Sequence, residues 1–583
     1  MSNYRAPLDE MRFVIEHWLD AGRDWARMPA FAELDHALAG QVLEEAARFA
    51  EERLAPLNAP GDRQGCRFEN GRVYTPDGFA WAYRDYVEAG WPSLACAVES
   101  GGQGLPQLLN VGLLEMLYAA NHAWAMYPGI AHGAYEVVKR FASEELKAAW
   151  LPGLVSGTCV PTMCLTEPQA GSDVGLLRCR AEPAEEGTYR LHGSKLFISG
   201  GEHDLGDDIL HLVLARLPGG PAGTRGISLF LVPRQLDGQL NGVICDGIEH
   251  KMGIRGSATC SLRFEGARGW LLGEPHQGLA AMFVMMNGAR LHVALQGLGH
   301  AEFARQQAAS YAAERRQMRV VPRPEAAAGA ADPIAAHPAM QRILMTLTAQ
   351  SQGMRMLGFW AGHLLDIAEQ GTDPAERDEA LVLASLLTPL VKAYFTEQGF
   401  QLASQALQVF GGYGYCSEYP IEQTLRDSRI AMIYEGTNEI QANDLLLRKL
   451  LPAESRGATL LASRVRAECQ QAEGTALQGQ AEALAALLAE WERVLETLRR
   501  EQTDQPQRLY EVAVDLLQVT ALILLGYAWL RAARVSRERG LGAERETTAR
   551  FFFRYLFPEA AHRLRLAMQD HSIQGAAAPP FRE

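Results

Sequence analysis

The 583-residue chain is poor in positive charge and lacks most of the short motifs that announce a chemistry. Its 55 Lys and Arg are outnumbered by 69 Asp and Glu, a formal net charge of −14. That disfavours non-specific nucleic-acid binding, which needs a basic surface, but leaves room for a small anion held by local charge. Nine cysteines, at 66, 96, 159, 164, 179, 245, 260, 416 and 469, show no C-x-x-C spacing. An odd, scattered set reads as reduced thiols in a reducing compartment, not as a disulfide framework or a zinc site. No G-x-G-x-x-G follows a strand and no G-x-x-x-x-G-K-[ST] occurs, so neither a Rossmann site nor a P-loop is supported. H-E-x-x-H and G-x-S-x-G are also missing. His292 and His300 fall two turns apart, which reads as packed or solvated histidines before a metal pair. The opening "MSNYRAPLDEMRF" lacks the basic-then-apolar pattern of a secretory signal, so a cytoplasmic location is expected.

One apolar run, "VAVDLLQVTALILLGYAWL" at 512–530, is long enough to cross a bilayer. Asp515 and Gln518 lie inside it. The expectation is therefore a buried helix of a bundle, with no stable membrane span.

The rest of the composition is that of an ordinary soluble protein, 48% apolar and 21% charged, large enough for several domains. Helical periodicity fills the first part, as in "DHALAGQVLEEAARFAEERLAPL". Near residue 157 the pattern turns to short β-rich runs, among them "TYRLHGSKLFISG", "DILHLVLARL" and "GISLFLVPR", punctuated by turn residues. These predict a compact antiparallel barrel or sandwich. Helical periodicity returns near 275, with segments 338–369, 375–410 and 438–451 completing a bundle. The loop "VVPRPEAAAGAADPIAAHP" breaks it. More helices follow "LPAESRGAT", and the tail "GAAAPPFRE" is expected to be disordered. The reading is α+β, mostly α. It has an N-terminal helical domain (1–156), a middle β-barrel domain (157–272), a four-helix bundle (273–452) and an appended C-terminal helical domain (453–583).

Three segments carry chemistry. "MCLTEPQAGSDVG", residues 163–175, joins a β-run to a turn-rich loop in which Thr166 and Ser172 offer hydroxyls. Such a loop exposes backbone N–H groups to a polar ligand, although composition alone favours ordinary turns. "KLFISGG", residues 195–201, is a strand with Phe197 and Ser199 on one face, and alone it is merely a strand. "LQVFGGYGYCSEYPIEQTLRDSRIAMIYEGTNEIQANDLLLRK", residues 407–449, is less ordinary. Its helix stops at Gly411-Gly412. Glu435 then stands between a tyrosine and Gly436-Thr437, where a new helix opens whose first N–H groups can hold a phosphate or a ring oxygen.

In combination these stretches resemble the acyl-CoA dehydrogenase family over roughly residues 35–450. The N-terminal "YRAPLDEMRF" and the extra C-terminal domain are similar to a long bacterial subgroup. That subgroup includes fatty acyl-CoA and 3-methylthiopropanoyl-CoA dehydrogenases. The resemblance implies an acyl-CoA dehydrogenase-like fold and FAD between the β-domain and the bundle, partly contacting a neighbouring subunit. It places Met163, Leu165 and Thr166 along the flavin, and Ser172 near ligand and phosphates. Phe197 and Ser199 stand where the family more often has Trp and Thr, keeping an aromatic and a hydroxyl. Arg315 of "ERRQM" is the match for a cofactor arginine on the pyrophosphate. Met318-Arg319 departs from the usual Phe-Gly at the adenosine wall. Gln408, Gly411 and Gly412 match the glycine turn at the ADP half, and Gly436, Thr437 and Asn438 the segment after the catalytic base. Asn287 and Arg290, three apart on one helix face, match residues beside the CoA arm. Arg255 and Ser257, in a loop resembling one at the substrate mouth, receive no role.

The implied chemistry needs one carboxylate and one flavin. Glu435 removes the proton next to the thioester carbonyl, a hydride leaves the next carbon for the flavin, and the product is a trans-2-enoyl-CoA. The thioester oxygen needs donors, which the family finds in the backbone N–H of the base and a ribityl hydroxyl. An acyl chain that expels water makes the carboxylate a stronger base. The implied partners are an acyl-CoA, an electron-transferring flavoprotein and a second copy of the chain in a dimer. The rivals are an acyl-CoA oxidase on the same scaffold, a nucleic-acid-binding relative using "RAARVSRERG" with Arg545, Arg550 and Arg554, and a flavin-free assembly subunit. Trp124, Met126 and Tyr127 read either as a pocket floor or as core.

Overall fold

The structure is a computed structural model that describes residues 4–322, 329–452 and 454–569. The tail at 575–583 and part of the break at 320–338 lie outside the described residues. The chain divides into two compact units. The first comprises the described residues up to Leu8, Ala30–Phe303 and Gly411–Ala431; the second comprises Asp9–Pro29, Ala304–Phe410 and the chain from Met432 on.

The first unit begins with α1 (His36–Phe49), α2 (Ala55–Gln64), α3 (Phe79–Glu88), α4 (Gln107–Ala125), α5 (Ala131–Phe141) and α6 (Glu144–Ser156). Local chemistry sets their ends. The Asp35 carboxylate accepts from the Leu38 amide at the start of α1, and Ser143 accepts from Leu146 at the start of α6. Gly157, at φ 82°, closes α6 in the left-handed conformation that glycine adopts without strain. From Leu108 to Ala125 every residue of α4 is buried. This part is not purely helical: Arg67–Glu69 and Arg72–Tyr74 form a hairpin. Its Asn70-Gly71 turn, with φ of 52° and 77°, is the strong hairpin signal that the helical reading passed over.

A seven-stranded sheet follows, of β1 (Cys159–Cys164), β2 (Arg180–Pro183), β3 (Tyr189–Ser199), β4 (Asp208–Arg216), β5 (Ile227–Pro233), β6 (Val243–Ile248) and β7 (Thr259–Leu272). The 14-residue β7 pairs with β3 along its first part and with β5 at Trp270–Leu272. Since β3 pairs β2, β2 meets β4 at Arg180↔Arg216, and β4 pairs β5, the ring closes as a barrel. The sheet is not wholly antiparallel, as β1 runs parallel to β4. The chain covers residues 165–207 between those two strands, room for the crossover that parallel pairing requires. All seven residues of β5 are buried, which is why it reads as an unbroken apolar run. The 37-residue α7 (Gly278–Glu314) belongs to this unit as far as Phe303.

The second unit holds α8 (Pro338–Gln370) and α9 (Pro374–Phe410). The helix α10 (Pro420–Ser428) returns to the first unit, and α11 (Asn438–Asp444) runs on as a π-helical turn to Leu450 in the second. Then come α12 (Gly457–Ala472), α13 (Gln478–Glu501), α14 (Pro506–Glu538), α15 (Glu544–Tyr555) and α16 (Pro558–Ala567). Residues 9–29 group with this unit and not with the rest of the N-terminal segment. Trp18 is one of the anchors. Its indole N–H donates to Ala528 O at 3.1 Å, and its ring meets Trp360 and Tyr527 edge-on. Arg545 adds an ion pair to Glu10 at 3.0 Å. Among the described residues three helices are long and apolar enough to cross a membrane by length and composition; the apolar window in α14 is 83% buried within the protein. Asp515, inside that run, pairs with Arg563 at 2.8 Å. All nine cysteines are free.

Candidate active site

In the first unit the loop after β1 is organised around one enclosed ion pair. Lys195, fully buried on β3, donates to Glu167 Oε1 and to Leu165 O, both at 2.9 Å. Glu167 also accepts from the backbone of Arg178 at 2.6 Å and Cys179 at 3.0 Å, and from Gln169 at 2.7 Å. Burial alone would raise the Glu167 pKa; the Lys195 ammonium and the backbone donors outweigh it and hold the group lowered. The Leu196 amide donates to Thr166 O at 2.9 Å, which sets Thr166 beside the end of β3. There Ile198 is 2% exposed while Phe197 is 61% exposed, at φ 58°. Met163, Leu165, Thr166 and Ser199 are half-buried, and Ser172 lies exposed further along the loop.

A second rim of this unit is the loop 249–257. Tyr127 OH accepts from the Ala258 amide at 2.8 Å and donates to Gly256 O at 3.2 Å. Trp124 donates to Phe79 O and packs among Phe49, Tyr83 and Tyr86, and both aromatic side chains are buried. Ile254, at φ 44°, gives its amide to the Asp427 carboxylate of α10. Burial pushes the Asp427 carboxyl up to about 6. Its neighbour Arg426 binds both oxygens of Asp62, at 3.1 and 2.7 Å, and both of Glu422. Ser257 is buried and Arg255 exposed. On α7, Asn287 is exposed and Arg290 half-buried. Gly411 has φ 60°, and a Cβ at Gly411 or Gly412 would meet no protein atom within 4 Å. Among the described residues, both glycines are exposed.

In the second unit Arg315 is exposed just beyond α7, with its carbonyl taken by the Ile334 amide at 2.8 Å; Gln408 is exposed near the end of α9. Met318, at φ 60°, is 76% exposed. Glu435 and Gly436 have φ of 56° and 82° in succession. Gln441 Nε2 donates to Glu435 O at 2.9 Å, and Lys392 Nζ donates to Gly436 O at 2.7 Å and Asn438 Oδ1 at 3.1 Å. Thr396 also donates to Asn438 Oδ1, and Asn438 donates to Ala393 O. Thr437 caps α11 by accepting from the Ile440 amide at 3.4 Å. Of the residues expected at the site, Asn438 alone borders a cavity of about 480 Å³ lined also by Gln350, Tyr394, Gln401 and Arg563. No sequence motif singles out Glu167, Lys195, Lys392 or Gln441. Glu167 and Lys195 fall inside the quoted motifs, but Lys392 is a single lysine in the apolar "LLTPLVKAYF".

Comparison with known proteins matches four family models in chain order. They are the acyl-CoA dehydrogenase N-terminal domain (residues 39–158), its middle domain (162–267), its C-terminal domain (276–450), and an acetyl-CoA dehydrogenase C-terminal-like domain (461–573). The chain is 40% identical, over 93% of both chains, to a 3-methylmercaptopropionyl-CoA dehydrogenase of Ruegeria pomeroyi. It is 34% identical, over 77% of its length and 76% of the relative's, to the broad-specificity linear acyl-CoA dehydrogenase FadE5 of Mycobacterium tuberculosis. The fold resembles that of Caenorhabditis elegans ACDH-11 in complex with C11-CoA, with a TM-score of 0.80 at 20% identity, over 95% of this chain and 92% of the other. The chain belongs to the acyl-CoA dehydrogenase family, and with it to the FAD-dependent oxidoreductases that dehydrogenate acyl-CoA thioesters. The first unit fits that cofactor. The exposed Phe197 lies on the strand that carries Ser199, and the residue before it, Leu196, donates its amide to Thr166 O.

Proposed function

We propose that the protein converts a saturated acyl-CoA into a trans-2-enoyl-CoA, with Glu435 as the base that takes the proton from the carbon next to the thioester carbonyl. The observation that carries this is the conformation of Glu435. It is a non-glycine residue with positive φ, outside any regular helix, and its own carbonyl and the next are both held by side chains. Strained backbone of this kind collects at functional sites. A positioned base contributes roughly 10²–10⁴-fold in rate. The Glu435 backbone N–H serves as a donor to the thioester oxygen as charge grows there. Bound FAD supplies the hydride acceptor.

Met163, Leu165, Thr166, Phe197 and Ser199 would hold the flavin, with Ser172 toward phosphates and substrate. Gly436, Thr437 and Asn438, the segment after the base, would also be cofactor-binding residues. Arg315, Gln408, Gly411 and Gly412 would meet the cofactor of a neighbouring subunit; the exposure of all four supports a dimer as the working form. Asn287 and Arg290 would lie beside the CoA arm. Electrons would pass to an electron-transferring flavoprotein, and the setting would be cytoplasmic. The acyl group would fall in the range named by the two relatives, from a 3-methylmercaptopropionyl group to linear acyl chains.

The basic stretch near residue 535 does not favour nucleic acid. Arg531 and Arg534 pair with Glu468, and Arg545 with Glu10. The deciding experiment is anaerobic titration with saturated acyl-CoAs of graded length, following the visible flavin absorbance. The wild type should bleach; Glu435→Gln should stay yellow and not bleach. Bleaching by the mutant would exclude this base, and peroxide release under air would mark an oxidase instead.

A further inference from the structure

Two consecutive positive-φ residues make a turn that no helical ladder supports, so the carbonyls of Glu435 and Gly436 must find partners elsewhere. Both are side chains with no exposed surface. Gln441, one turn into α11, takes the first carbonyl, and Lys392, in the middle of α9, takes the second. We infer that Lys392 and Gln441 are positioning residues for the base: they hold residues 435–436 in the left-handed turn from which the Glu435 carboxylate is aimed. This rests on the reading of Glu435 as the base.

The geometry is specific. A buried ammonium is expensive, and the fold keeps one only where its hydrogens are met. Lys392 Nζ spans Gly436 O and Asn438 Oδ1, tying the turn to the first residue of α11. Asn438 is fixed in turn by Thr396 and Ala393 O, one turn along or adjacent on α9. Residues 392–396 of a long helix therefore form a platform for residues 436–438. Gln441 closes the other side and lies close over Gly436, where a Cβ would come within 2.7 Å of its amide nitrogen. A side chain at 436 would push the Gln441 amide aside, and the φ of 82° favours glycine there. Loss of either donor frees a peptide next to the base, and a misplacement of about 1 Å at a reacting group can cost on the order of 10²-fold.

The test compares Lys392→Met and Gln441→Leu in the full-length holoenzyme, with Glu435→Gln alongside. FAD content, kcat and KM with an artificial electron acceptor, and loss of α-deuterium from a labelled acyl-CoA are measured. Lys392→Met should lower kcat and α-exchange on the order of 10²-fold, with KM and bound FAD within about threefold of wild type. Gln441→Leu should lower kcat by about tenfold. A wild-type kcat in flavin-loaded Lys392→Met, or a loss carried by KM, overturns the assignment. If Lys392→Met fails to fold or to hold flavin, Gln441→Leu decides, and an unchanged kcat there overturns it. An inactive Glu435→Gln beside two normal clamp variants sinks only the clamp; an active Glu435→Gln sinks the base itself.

Discussion

Lys195 Nζ and Glu167 Oε1 stand 2.9 Å apart with side chains 0% and 3% exposed, and the loop that carries Thr166 and Ser172 is folded around them. A pair so enclosed is costly to break, because the survivor is left as an uncompensated buried charge. Lys195→Met should cost about 3–5 kcal/mol in the first unit and loosen residues 165–179. Thermal unfolding and proteolysis within that loop are the measurements. Pairing it with Glu167→Gln should recover much of the loss, since no charge then remains inside. A Lys195→Met protein as stable as wild type would show that the loop does not depend on this pair.

Phe197 separates stability from cofactor binding. The residue is 61% exposed and its φ is 58°, so the fold gains little from the ring and bears the strain of a side chain in the left-handed region. Glycine relieves that strain, worth about 1–2 kcal/mol, against a chain-entropy cost of about 0.5–1 kcal/mol. Phe197→Gly should therefore unfold at or slightly above the wild-type temperature. Flavin affinity should fall, because an aromatic contact is worth roughly 0.5–1.5 kcal/mol beyond its buried area. Flavin retention after ultrafiltration and a melting curve of the apoprotein test the two halves separately. Tight flavin binding by the variant would remove Phe197 from the cofactor site.

Much of the architecture was legible because it is locally encoded. The bundle helices follow the apolar spacing, the barrel strands follow short β-rich runs between turn residues, and the change near residue 157 marks β1. What escaped depends on distant partners. The parallel pairing of β1 with β4 joins segments about 40 residues apart, and no local pattern reports its direction. Nothing around Trp18 points to Ala528, 510 residues away. At the site, Glu435 stood out through its neighbours in a specific motif. Lys392 did not, because a lone lysine in an apolar helix usually sends its charge out to water along a buried stem. Here the ammonium is held inside by a carbonyl 44 residues downstream.

The tie made by Trp18 can be cut alone. Its side chain is 1% exposed, with a hydrogen bond to Ala528 O and the Arg531 guanidinium 5.5 Å from its ring centre. Trp18→Ala should destabilise the second unit by about 3–5 kcal/mol, as large-to-small changes in a packed core do. Residues 9–29 should become the first site of cleavage in limited proteolysis, while Trp18→Phe should keep most of the packing. Unchanged protease resistance in Trp18→Ala would mean that residues 9–29 are held by other contacts.

Six histidines of the first unit are lowered and shape its response to acid, three of them the most plainly. Burial, with Arg234 adding repulsion for the first two, lowers His203 and His211 to about 3, and burial alone lowers His300 to about 3. Above pH 6.5, the ordinary histidine value, folded and unfolded chains both carry them neutral, and their contribution to stability is fully present. As pH falls below 6.5 the unfolded chain takes up protons that the folded unit refuses until near pH 3. Stability is then lost at about 1.4 kcal/mol per pH unit for each group. Asp427 works the other way. Its carboxyl, raised to about 6, gives stability that is present below its unfolded value near 4 and is lost as pH rises through 6. Burial lowers His292 to about 4 and lowers His122 and His132 as well, and it raises the carboxyls of Glu202 and Asp208 along with Asp427. With six lowered histidines against three raised carboxyls, the melting temperature should fall steadily from pH 6.5 to pH 4.5. His300→Gln should make that fall shallower without moving the melting temperature at pH 8 by a comparable amount. A melting temperature level across this range would contradict the buried, neutral state of the three imidazoles.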